Sequence, residues 1–64
     1  MHELSLASQL VELAEESAAQ AGASRVIAVR LRVGQLAGVS EEALRFAYDI
    51  ATASTRLEGS RLEV

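Results

Sequence analysis

The chain has 64 residues, half of them apolar but with Phe46 and Tyr48 as its only aromatics, and a formal net charge of −3. One small domain is all this length supports, with a core so limited that a partner, a bound metal or more chain is expected to assist folding. The absence of cysteine excludes a disulfide framework, a thiolate metal site and a cysteine nucleophile.

Charge is laid out unevenly. Residues 1–22 hold Glu3, Glu12, Glu15 and Glu16 without an arginine or lysine, whereas residues 23–36 hold Arg25, Arg30 and Arg32 without an acid. No net basic domain and no basic face with stacking aromatics is present, which argues against nucleic acid as a partner. The N-terminus lacks a basic leader, and Glu12, Glu15 and Glu16 interrupt its apolar residues, so no targeting peptide or membrane segment is expected and the protein should be soluble and cytoplasmic.

From Leu4 to Ala21, the apolar residues Leu4, Leu6, Ala7, Leu10, Val11, Leu13, Ala14, Ala18 and Ala21 recur at spacings of three and four, the period of one broad helix face. Gly22 follows where a helix-ending glycine is expected, because it enters the left-handed conformation without steric cost. Arg25 to Val33 reads as a strand, with Ile27, Val29, Leu31 and Val33 on the buried face and Arg30 and Arg32 on the other. Gly34-Gln35-Leu36-Ala37-Gly38 supplies a flexible exit. Ser40 is suited to N-cap a second helix, with Glu41 and Glu42 favourably placed against the dipole and Val39 and Leu44 at the positions of a hydrophobic staple. Leu44, Ala47, Tyr48 and Ala51 form its apolar stripe, widened by Phe46 and Ile50, and it should fade near Ser54 or Thr55. Glu58-Gly59 marks a turn before a strand at Arg61–Val64, with Leu62 and Val64 on the core side. The connection through residues 40–54 is long enough to return the second strand parallel to the first. The expected architecture is an α+β fold, order α-β-α-β, with two helices packed on one face of a small sheet.

Little in the chain suits catalysis. The only histidine, His2, stands at the chain end, far from any rigidly held nucleophile. The Gly34–Gly38 segment lacks both the lysine of a phosphate loop and the G-x-G-x-x-G spacing, and reads as a turn. Glu12, Glu15 and Glu16 fit a solvated helix face better than a cation site. Arg30 and Arg32 either dock an acidic partner or lie under the polar side of a neighbouring strand or in water. Met1-His2-Glu3 differs, because a terminal amine, an imidazole and ionisable backbone amides meet there, a nitrogen set that suits square-planar or tetragonal Ni(II) and Cu(II). Glu3 adds a carboxylate oxygen, and the large residue at position 2 disfavours removal of Met1. All these nitrogens lose protons to bind, so affinity should weaken as pH falls through the imidazole and amine range, roughly 6.5 to 8.0. The alternative is an ordinary surface histidine.

Three segments carry a family resemblance. Met1-His2-Glu3-Leu4-Ser5-Leu6 resembles the M-H-E-x-S opening of the HypA/HybF nickel-insertion proteins. Val29-Arg30-Leu31-Arg32-Val33-Gly34-Gln35-Leu36-Ala37-Gly38-Val39 is similar to that family's V-x-L-x-[IV]-G-x-L-[SA]-G-V segment, and Glu42-Ala43-Leu44-Arg45-Phe46-Ala47-Tyr48 to its E-A-L-x-F-[AC]-[FY] helix. The resemblance implies a metallochaperone domain and not an enzyme, binding Ni(2+) at Met1, His2 and Glu3. It implies delivery of the metal toward [NiFe]-hydrogenase, urease being served by some members, with the nickel GTPase HypB and the hydrogenase large subunit as partners. Such proteins continue into a module with two C-x-x-C pairs that holds zinc, then return a last strand to the sheet. Neither feature is in this sequence, so residues 1–64 are expected to be one truncated nickel-binding domain without zinc, prone to homo-oligomerise through an open sheet edge. No ligand role is carried over to Ser40, Glu41 or Glu42. The competing reading is a protein-interaction or self-associating module in which the N-terminus is incidental.

Overall fold

The computed structural model describes residues 3–31 and 38–64. Its first element, helix α1, spans Glu3–Gln20. Ala7, Val11 and Ala18 are buried at spacings of four and seven, which return to one side of a helix. The helix ends in a Schellman motif at Gly22. Ala23 donates to the Ala18 carbonyl at 2.9 Å and Gly22 to the Ala19 carbonyl at 3.1 Å, while Gly22 itself takes a φ of 72°. The helix-ending role expected of this glycine is borne out.

The first strand is shorter than the alternation predicts. Strand β1 covers Ala28–Arg30 alone, and Ile27, expected inside, is 71% exposed. The reason lies in where the ladder starts. Arg61 donates to the Ile27 carbonyl at 2.9 Å, but one residue earlier Val26 donates to Arg56 at 2.8 Å, in the loop ahead of the second strand. Residues 25–27 therefore follow a loop instead of a strand, and Val26 packs against the core in place of Ile27. Arg32, Val33 and the Gly34–Ala37 part of the expected exit lie outside the described residues.

Helix α2 spans Glu41–Thr52 and is capped as expected, with the Ser40 hydroxyl accepting from Ala43 at 3.2 Å. Leu44, Ala47 and Tyr48 are buried. Phe46 is 70% exposed and Ile50 is also exposed, so neither widens the buried stripe. Phe46 stands two residues from Leu44, about 200° around the helix, and cannot share its face. A related limit applies to α1. Leu4 and Leu13 bound an arc of roughly 180°, wider than the rest of so small a chain covers, and both are exposed. At its end α2 turns back on its own backbone: Thr52 Oγ1 donates to the Tyr48 carbonyl at 2.9 Å, and Ser54 adopts a φ of 64°.

Strand β2, Arg61–Glu63, pairs parallel with β1 in the register Ala28–Arg61, Val29–Leu62 and Arg30–Glu63. The α-β-α-β order and parallel crossover match the expectation from sequence. Val29 and Leu62 face the helices, whereas the pair on either side leaves Arg30 and Arg61 exposed. Val64, expected on the core side, is exposed beyond the last paired residue. Ala7, Val11, Leu44, Ala47, Tyr48, Leu57 and Leu62 make the core. Tyr48 is buried to its hydroxyl, which shares a hydrogen bond of 2.7 Å with Ser60 Oγ. Among the described residues no helix is long and apolar enough to cross a membrane.

The two sheet edges differ. Parallel pairing uses alternate residues, so the Leu62 carbonyl points away from β1, and Arg45 Nη1 donates to it at 2.5 Å. Glu41 steadies that arginine from one turn earlier, at 3.2 Å. The outer edge of β2 is thus closed by a side chain of α2. The peptide groups of Ala28 and Arg30 turn outward on the other edge, where no described strand pairs with them.

Candidate metal centre

Of the three ligands expected from sequence, Met1 and His2 lie outside the described residues, and Glu3 opens α1. Glu3 is half-buried, and its Oε2 accepts from the Ser40 backbone N–H at 3.3 Å, across 37 residues of chain. Further along, Glu15 Oε2 accepts from the backbone N–H of Arg56 at 2.6 Å, beyond the end of α2. The two helices therefore run in the same direction, and their starts meet at the candidate site.

The contact at Ser40 has a particular meaning for helix α2. In a capping box, the third helical residue carries a glutamate or glutamine that accepts from the N-cap backbone N–H while the N-cap side chain bonds the third residue. Here Ser40 performs its half, but the third residue is Ala43, which has no acceptor. Glu3, contributed by the other helix, takes the missing place. Reasoning from sequence missed this role. The signal available was the incomplete motif Ser40-Glu41-Glu42-Ala43, which leaves one backbone donor seeking a partner.

A carboxylate placed at the start of α2 and one residue from His2 holds an oxygen where amine, imidazole and amide nitrogens are close in sequence. Glu41, at the same end, is engaged by Arg45, and Glu42 is exposed. Among the described residues no three His, Cys, Asp or Glu side chains gather into a metal-binding group. A closed zinc site does not fit this chain, since four thiolate or imidazole ligands are preferred and the sequence has no cysteine and a single histidine. Two of the other acids, Glu15 and Glu63, are employed elsewhere. Glu15 binds Arg56, its Oε1 lying 3.7 Å from Nε, where the sequence suggests only a solvated helix face. Arg30 pairs with Glu63 across the strands at 3.2 Å, in an exposed position.

Comparison with known proteins places this geometry in context. The family described as hydrogenase/urease nickel incorporation, metallochaperone, hypA matches residues 1–64. A hydrogenase maturation factor HypA of Roseiflexus sp. is 61% identical over 64 residues, which are 100% of this chain and 52% of that protein. The protein of the same description from Chloroflexus aurantiacus is 52% identical over 62 residues, covering 97% of this chain and 54% of the relative. The one from Syntrophus aciditrophicus is 47% identical over 64 residues, 100% of this chain and 56% of the relative. The chain spans about half the length of the curated relatives it matches.

Proposed function

The chain belongs to the HypA family of hydrogenase/urease nickel-incorporation metallochaperones, and from that premise we propose that it takes up Ni(II) at its N-terminus and hands it on for [NiFe]-hydrogenase maturation, with urease as a further client. A metallochaperone is a carrier, not an enzyme, so nickel is cargo here and the chemistry is ligand exchange. The ligands in this reading are the Met1 amine, the His2 imidazole and an adjacent backbone amide, with the Glu3 carboxylate adjusting the site. The small chelate rings they close need no help from distant side chains. The fold contributes by holding Glu3 at the start of α2. Delivery would involve the nickel GTPase HypB and the hydrogenase large subunit, in the cytoplasm.

The family match over residues 1–64 carries this reading, together with the carboxylate of Glu3 held beside the residue that follows Met1. Nickel titration followed by calorimetry tests it. His2→Ala is expected to abolish binding, and one residue added ahead of Met1 to weaken it comparably, with thermal stability unchanged in both. Nickel bound by His2→Ala as tightly as by the parent would remove the N-terminal site. That result would favour an interaction module instead, for which Phe46 and Ile50, four residues apart and exposed on the outer side of α2, are the motivating feature.

A further inference from the structure

At the far end of the helices from Glu3, the loop after α1 and the loop before β2 enclose a pocket of about 330 Å³ lined by Ser24, Arg25, Thr55, Arg56, Glu58 and Gly59. It lies about 18 Å along α1 from Glu3, taking twelve residues to Glu15 at a rise of roughly 1.5 Å each, and nothing in the nickel reading uses it. We propose that this pocket binds a carboxylate group through the guanidinium groups of Arg25 and Arg56.

Two features of the lining arginines set what the pocket can take. Arg56 is anchored by Glu15, which takes its backbone N–H at 2.6 Å and lies 3.7 Å from its Nε. Its Nη1 is nevertheless buried without a hydrogen-bond partner, alone in this among the buried side-chain nitrogens and oxygens of the described residues. That nitrogen is closed to solvent and so to a ligand oxygen, but the Arg56 side chain as a whole is 37% exposed and lines the pocket. Arg25, for its part, makes no hydrogen bond or ion pair among the described residues. Its Nη2 lies 3.8 Å from where a Cβ on residue 59 would stand, and residue 59 is glycine with a φ of 79°. The turn thus leaves the guanidinium an open approach on that side. The Ser24 hydroxyl adds a neutral donor to the same wall.

Charge selects the ligand. Arg25 and Arg56 are set against Glu15 and Glu58, so the local balance is close to neutral, which suits a singly charged anion better than a doubly charged phosphate. A planar carboxylate also matches the two-donor fork of a guanidinium. Glu58 lines the pocket without an ion pair of its own among the described residues, and its charge opposes an incoming anion. The carboxylate arrives either on a small organic acid or on an acidic side chain of a peptide.

The test is a titration of the ¹⁵N-labelled 64-residue chain, observed by NMR at constant ionic strength, with sodium acetate, with a short end-blocked peptide of glutamates, and with inorganic phosphate. Acetate or the peptide should shift the Gly59 amide and the Nε–H signals of Arg25 and Arg56 saturably. Tighter binding of the peptide per carboxylate assigns the site to an acidic protein partner, and equal or tighter binding of acetate to a small acid. Arg25→Gln should weaken binding by about fivefold or more, the worth of one charge-assisted hydrogen bond at a partly exposed site, whereas Glu58→Gln should strengthen it. Amide shifts away from the pocket report whether each variant is folded. The proposal is overturned if no saturable shift occurs, if phosphate binds more tightly than either carboxylate, or if Arg25→Gln and Glu58→Gln change the affinity in the same direction.

Discussion

Replacing Glu3 by alanine and by glutamine separates its place in the fold from its part in metal binding. The bond from the Ser40 N–H to Oε2 is long, 3.3 Å, and exposed, so its worth falls below the usual range of charged hydrogen bonds, to about 0.5–1 kcal/mol. The favourable charge at the α2 N-terminus adds little, because Glu41 and Glu42 already occupy its first turn. Glu3→Ala should therefore cost about 0.5–1 kcal/mol, a fall in Tm of roughly 2–8 °C for a domain of this size. Glu3→Gln keeps an amide oxygen in the same place and should lose less than half as much. Thermal unfolding of metal-free protein, followed by far-UV circular dichroism, measures both. Hydrogen exchange at the Ser40 amide provides the local readout, faster in Glu3→Ala and near the parent rate in Glu3→Gln. In nickel titration Glu3→Gln should weaken binding less than His2→Ala does. An unchanged Tm and unchanged Ser40 exchange in Glu3→Ala would show that the bridge between the helix starts does not form.

Other perturbations probe the remaining supports. Tyr48→Phe removes a buried hydroxyl bonded to Ser60 at 2.7 Å and should cost about 1 kcal/mol; urea unfolding with no loss of midpoint would refute the pairing. Ser54 holds a φ of 64°, so Ser54→Gly relieves a left-handed conformation and should raise stability by about 0.5–1 kcal/mol, an effect disproved by a lower midpoint. The outward peptide groups of Ala28 and Arg30 should let the parent pair edge to edge into dimers, read by sedimentation velocity across protein concentration. Arg45→Ala uncovers the Leu62 carbonyl on the opposite edge and should extend association beyond the dimer; a variant no larger than the parent would show that Arg45 does not guard that edge.

Local chemistry sufficed wherever a feature is decided by a few neighbouring residues. Gly22 ends α1 because a glycine after an apolar helix face readily enters the left-handed region, and Ser40 starts α2 because its hydroxyl reaches a backbone donor three residues on. The α-β-α-β order follows from where period two replaces period 3.6, and the three family-like segments were legible as strings of residues. Periodicity did not say how much of each face would be covered. Ile27, Leu13, Phe46 and Ile50 are exposed because a two-stranded sheet and two helices have too little surface to enclose every apolar residue. Nor did it reveal the contacts that join residues distant in sequence. Glu3 completes the cap of Ser40 only because the helices run the same way, Arg45 closes a sheet edge only because α2 lies beside β2, and Arg25 meets Arg56 only where two loops converge. Side-chain identity fixes what each group can bind, whereas the packing of separate elements decides which groups are close enough to do so.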